Sequence, residues 1–240
     1  MHPSKIMLKP LLIALAVAAS AGAQMSSSDP GVGLDSKTLS VQAKAEELFA
    51  RGDYRRAHVI YLNDLAPIGD KYAQYMLGFM NGNGLGVDQD PVLASAWYRL
   101  AAERGEPAEF LAIRDESLAQ LDGPDRGRSD DLYLALCGQY SDIAISMREV
   151  REEFEQLSQV WTGSRLGGTS TAVTIVEPRA GGSQSGDAFI RRVERRMQRH
   201  LDIVTATLGV DRIDAHAVTA SELADLEEAV RQHILRRVSR

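Results

Sequence analysis

The chain has 240 residues, with 33 acidic side chains against 27 basic ones and a formal net charge of −6. That balance argues against nucleic acid or an anionic membrane as the ligand, since both select basic surfaces, and the length allows one or two domains. The lone cysteine, Cys137, excludes an internal disulfide, so packing alone must hold the fold.

At the N-terminus, Lys5 and Lys9 precede an apolar run over residues 11–19, and Ala21-Gly22-Ala23 follows it. Positive start, apolar core and small residues at an A-x-A position are the pattern of a secretory signal peptide. The run is shorter than the roughly 20 residues a helix needs to cross a bilayer. The sequence therefore predicts a signal peptide over residues 1–23, a flexible polar leader over 24–35, and a periplasmic or secreted mature chain, cleaved near Ala23, without a transmembrane span.

Helical pattern begins after residue 35. Ala43, Ala45, Leu48 and Phe49 lie among good helix formers, and Gly52-Asp53 supplies a C-terminal cap followed by an N-cap. A second helix carries Tyr54, Ala57, Val59, Ile60, Tyr61 and Leu65, and Pro67-Ile68-Gly69-Asp70 ends it. A third is expected over residues 71–81, with a glycine-rich loop over 82–89. Asp90-Pro91 restarts a helix, because Asp caps and Pro suits the first helical position. Its face is Ala94, Trp97, Tyr98 and Ala101, and Gly105 stops it. A fifth helix opens at Pro107 and closes at Asp122-Gly123-Pro124-Asp125.

An internal repeat runs through these pairs. Leu65-Ala66 recurs as Leu100-Ala101, Gly69 as Gly105, and Ala73-Gln74-Tyr75 as Ala108-Glu109-Phe110. The offset of about 35 residues is that of a helix-pair solenoid. About three units are needed to bury a continuous core, so the visible two and a half require something further to cap them. This gives a repeat domain over 36–122.

Residues 130–240 read differently. Leu136, Tyr140, Ile143, Met147, Val150, Phe154, Leu157 and Trp161 follow heptad spacing, the seam of a coiled coil or of a long hairpin. A homodimer through this 136–161 helix is one use of such a seam. A Gly/Ser-rich linker over 163–187 encloses the β-prone piece Ala172-Val173-Thr174-Ile175-Val176. Two more amphipathic helices follow, with stripes at Ile190, Val193, Met197, Leu201, Val204, Leu208 and at Leu223, Leu226, Val230, Ile234, Val238. The last opens with the capping box Thr219-Ala220-Ser221-Glu222. The fold class expected is all-α: a short helix-pair solenoid, then a helical hairpin or small bundle.

The segment Ala73-Gln74-Tyr75-Met76-Leu77-Gly78, with Gly82, Gly84, Gly86, Asp90, Ala94, Trp97, Tyr98, Ala101, Ala102 and Gly105, closely resembles the Sel-one-like repeat, a member of the tetratricopeptide-like helical solenoids. Residues 45–57 resemble a weaker tetratricopeptide-type unit, and the unit after Gly105 keeps only its first helix. The resemblance implies structural roles for these residues and a protein-binding function; its exported members serve in polymer export, secretion, sensor regulation and host-protein binding.

Catalytic and metal signatures are missing. Gly82-x-Gly84-x-Gly86 follows a helix and lacks the phosphate-binding form. Asp88-Gln89-Asp90 lacks the other ligands of a calcium loop. His58, His200, His216 and His233 form no H-x-x-x-H pair, so neither a metal nor a cofactor is expected. Cys137 reads as a buried small hydrophobe, with an intermolecular bridge or reactive thiol as alternatives. Arg191, Arg195 and Arg199, beside Arg192 and Arg196, form a basic stripe, read first as a solvated face or as partners of Glu149, Glu152, Glu153 and Glu155. The sequence points to a non-catalytic adaptor binding a protein in the cell envelope. The alternative is an envelope hydrolase acting on cell-wall material.

Overall fold

The computed structural model describes residues 36–162, 174–176 and 183–238. The expected signal peptide, leader and most of the 163–187 linker, with the side chain of Trp161, lie outside the described residues. Among the described residues the fold is all-α apart from one short ribbon. The chain divides into two compact units, Met1–Tyr133 and Leu134–Arg240.

The first unit contains α1 (Ser36–Ala50), α2 (Tyr54–Ile60), α3 (Lys71–Asn83), α4 (Pro91–Ala101), α5 (Ala108–Ala119) and the first part of α6 (Gly123–Tyr140). α1 packs on α2, α3 on α4 and α4 on α5. The turn chemistry follows the sequence closely. Asp70 Oδ1 accepts from Ala73 N at 2.9 Å and caps α3, while Asp90 Oδ1 accepts from Val92 N and Leu93 N and caps α4. α2 is shorter than expected, because the chain passes into a π-helical turn (Tyr61–Leu65) and a 3-10 turn (Ala66–Ile68) before Gly69.

α3 is buried on nearly every side, from Ala73 to Asn81, as expected of a helix at the centre of a stack. Tyr75 stacks on Phe110 with ring centroids 5.0 Å apart and meets Tyr98 at 5.6 Å, so one ring joins α3, α4 and α5. Each such large side chain, fully buried, contributes about 1.5–3 kcal/mol by loss of apolar surface. A buried ion pair sits beside them: Lys71 Nζ donates to Glu103 Oε2 at 2.8 Å, with the two side chains 8% and 9% exposed.

Two expectations are corrected here. Gly82 is not a loop residue, because α3 continues to Asn83 and Gly84 makes the left-handed turn at φ 67°. A further helix also begins where only a stop was expected. Asp122-Gly123-Pro124 starts α6, with Asp122 Oδ1 accepting from Asp125 N at 2.9 Å, since a capping Asp followed by a proline in the first turn is as much a start as a stop. α6 is held to α4 by Arg99, whose Nη1 donates to Asp130 Oδ1 at 2.6 Å and whose guanidinium lies 4.0 Å from the Tyr133 ring centre.

The second unit comprises the last turns of α6, α7 (Asp142–Thr162), β1 (Thr174–Val176), β2 (Ser183–Ser185), α8 (Gly186–Leu208) and α9 (Ala220–Leu235). The single helix expected over 136–161 is broken at Ser141. The Ser141 hydroxyl donates to the Cys137 carbonyl at 2.6 Å and accepts from Ala144 N at 3.3 Å, ending one helix and capping the next. The heptad positions Ile143, Met147, Val150 and Leu157 are buried, as are Val193, Met197, Leu201 and Val204 of α8, and α7 packs on α8 and α9. These four positions of the seam are thus covered within the chain, while Leu136, Tyr140 and Phe154 are half-buried. Thr174–Val176 of the β-prone piece pair with Ser183–Ser185 in a two-stranded antiparallel ribbon, with Ile175 opposite Gln184. Gly209, at φ 69°, closes α8, and the Thr219–Glu222 capping box opens α9. Cys137 is fully buried, as a small core hydrophobe would be.

Candidate functional site

The repeat α3–α4 is built by close approach. A Cβ on Gly78 would stand 2.7 Å from Tyr98 Cδ1 and 3.2 Å from the Ala94 carbonyl oxygen, so this glycine sets the distance between the two helices. Ala73, Leu77, Ala94, Trp97, Tyr98, Ala101 and Ala102 are all buried. Gly84, Gly86 and Gly105 take left-handed backbone angles, and Asp90 is engaged in its cap. The residues that carry the resemblance therefore hold the unit together. Its buried side chains are closed to a partner, while Gly84 and Gly86 remain at the surface.

The surface open to a partner comes mostly from residues outside that set. Arg55, His58 and Val59 of α2, with Gly84, Gly86, Val87 and Asp88 of the loop after α3, line a wide hollow of about 690 Å³. Gly86 brings the loop onto the start of α2, since a Cβ there would lie 2.5 Å from Arg55 N. Burial holds the His58 imidazole below its ordinary pKa, so it faces the hollow as a neutral donor and acceptor at physiological pH. Arg55 and the exposed Asp88 put one charge of each sign on the rim, and Val59 is 48% exposed. Such a surface offers hydrogen bonds, a charge pair and an apolar contact; it holds no nucleophile–base arrangement.

A second convergence lies in the other unit. Glu149 and Glu153 are one turn apart on α7 and meet His200 of α8, with one ligating atom from each within 4.8 Å of the others. Arg196 Nε donates to Glu153 Oε1 at 2.9 Å. Burial pushes the Glu153 carboxyl up to about 7, against the opposing pull of Arg196, and Glu149 raises it further. Burial, with Arg199 and Arg196, holds His200 below its ordinary value. The sequence motifs for metal ligands, which rest on paired histidines, do not reach this set. Its only linear trace is a Glu-x-x-x-Glu spacing on the apolar side of a helix.

The remaining candidates separate. His216 is exposed and its Nδ1 lies 3.1 Å from Glu194 Oε1, and His233 sits half-buried on α9. Of the basic stripe, Arg196 pairs internally with Glu153 as the acidic-partner reading expects, whereas Arg191, Arg195 and Arg199 form an exposed face. Among the described residues no helix is long and apolar enough to cross a membrane.

Closely packed helix pairs, joined by capped turns and stacked through a shared aromatic layer, define a helical repeat protein. Residues 71–106 match the family model of the Sel1 repeat, and that segment is a single Sel1 repeat, the helix pair α3–α4 with its following turn. No curated protein and no solved structure matches the chain.

Proposed function

We propose that the protein is an exported, non-catalytic adaptor that binds a protein partner in the cell envelope through its helix-pair unit. The observation that carries this reading is the Sel1 repeat over residues 71–106, because stacked helix pairs present a preformed surface to other proteins. The mixed hollow between α2 and the loop after α3 is the docking surface favoured by its chemistry, with Val59 as the apolar contact and Arg55 and Asp88 as orienting charges. The export half of the proposal rests on Lys5, Lys9, the apolar run over 11–19 and Ala21-Gly22-Ala23.

A photo-crosslinking side chain at Val59, compared with one at Ile203 on α8 (44% exposed), tests the surface in cells that make the protein. The expected result is an adduct of defined mass from position 59, recovered in the envelope fraction and missing from position 203. Equal labelling at both positions, or adducts confined to the cytoplasm, would overturn the reading.

A further inference from the structure

Glu153 is 3% exposed, yet its neighbours satisfy only half of it. Oε1 takes the Arg196 guanidinium, while Oε2 is buried without a hydrogen-bond partner. The Nδ1 of His200, from the facing helix, is also buried without one. Unmatched buried polar atoms are costly and rare. Here two of them belong to one cluster, and Glu149 adds a third ligating atom within 4.8 Å. Ligating side chains that converge, two of them with buried unmatched atoms, form the donor set a cation needs.

We propose that Glu149, Glu153 and His200 bind one divalent first-row transition metal of the zinc class. Two carboxylates balance the charge of the ion. The imidazole nitrogen selects against magnesium and calcium, which prefer all-oxygen shells. A tetrahedral zinc ion with ligands at about 2.1 Å holds them about 3.4 Å apart, so atoms within 4.8 Å of one another close on it by side-chain rotation. Arg196 serves as the supporting contact, fixing one oxygen of Glu153 and leaving Oε2 to ligate, as outer partners of metal-binding carboxylates do. Three protein ligands leave one position for water or for a group from a partner. The ion would join α7 to α8 at the level of Glu153.

The test uses the full, tag-free chain, stripped with chelator and titrated with zinc chloride by calorimetry and with cobalt(II) chloride by visible absorption. One equivalent should bind per chain, and cobalt should give the intense visible bands of a low-coordinate site. Glu153→Gln, His200→Gln and Glu149→Gln should each weaken binding by about tenfold or more, the loss expected when a metal site is deprived of a supporting group. His216→Gln, beside Glu194, should leave it unchanged. Helical circular dichroism keeps the variants interpretable, and Glu149, only half-buried, is the one whose replacement perturbs packing least. No saturable binding, or binding that survives in the folded Glu149→Gln and His200→Gln chains, would overturn the site.

Discussion

At the residue scale the tightest constraint is Gly86. Its φ of 76° belongs to the left-handed region, and a Cβ would meet Arg55 N and the Tyr54 carbonyl carbon at 2.5 Å. Backbone cannot give way there as a flexible side chain would. Gly52 has a similar φ of 81° but open space around it, so it isolates the cost of backbone angle alone. Gly52→Ala should cost about 1 kcal/mol for the left-handed conformation. Gly86→Ala should cost about 3 kcal/mol or more, because strain and overpacking add. Urea denaturation of the two variants measures the difference; equal losses would show that the loop does not rest on α2. The sequence marks both glycines as turn formers, but only the contact with residues 54 and 55 ranks them, and that contact joins positions far apart in the chain.

At the element scale, caps and breaks are legible and charge pairing is not. Asp70, Asp90, Gly69 and Gly105 act where their residue types place them, since capping is a local match between one side chain and its own helix end. Asp122-Gly123-Pro124 reads as an end and turns out to be a beginning, because its start signal and its stop signal are chemically the same. Lys71 and Glu103 give no signal at all: they stand in different helical segments, and lysine is rarely so buried. Removing one partner strands the other charge, so Lys71→Met or Glu103→Gln alone should cost about 3–5 kcal/mol. The double variant Lys71→Met with Glu103→Leu should recover most of that loss, because a well-packed apolar pair can match a buried ion pair. A double-mutant cycle by denaturation checks both; additive losses would mean that the two charges do not stabilise each other. The recurrence of Gly69 as Gly105 marks the repeat, while this pair closes it.

At the scale of the whole molecule, what the sequence reveals is what has a period. Ile143, Met147, Val150, Leu157, Val193, Met197, Leu201 and Val204 of the helical stripes come out buried, and so do Ala73, Leu77, Ala94, Trp97, Tyr98 and Ala101 of the Sel1 segment. The Glu149–Glu153–His200 cluster has no period, since it forms only when α7 meets α8, and local ligand spacing carries no trace of it. The same distinction governs the heptad stripe. Period alone does not say whether its partner is another copy or another helix of this chain. The structure gives it α8, with Leu157 and Met197 fully buried. Leu157→Ala and Met197→Ala should therefore each lose about 2–5 kcal/mol by leaving a cavity, and the loss should appear as a lower melting temperature at every chain concentration. An intermolecular seam behaves otherwise, because mass action raises the melting temperature of a dimer as concentration rises. Melting followed over a wide range of concentration, for the parent chain and both variants, separates the cases. A midpoint that stays fixed supports the intramolecular seam, whereas one that climbs with concentration in the parent and flattens in Leu157→Ala would assign the stripe to a second copy.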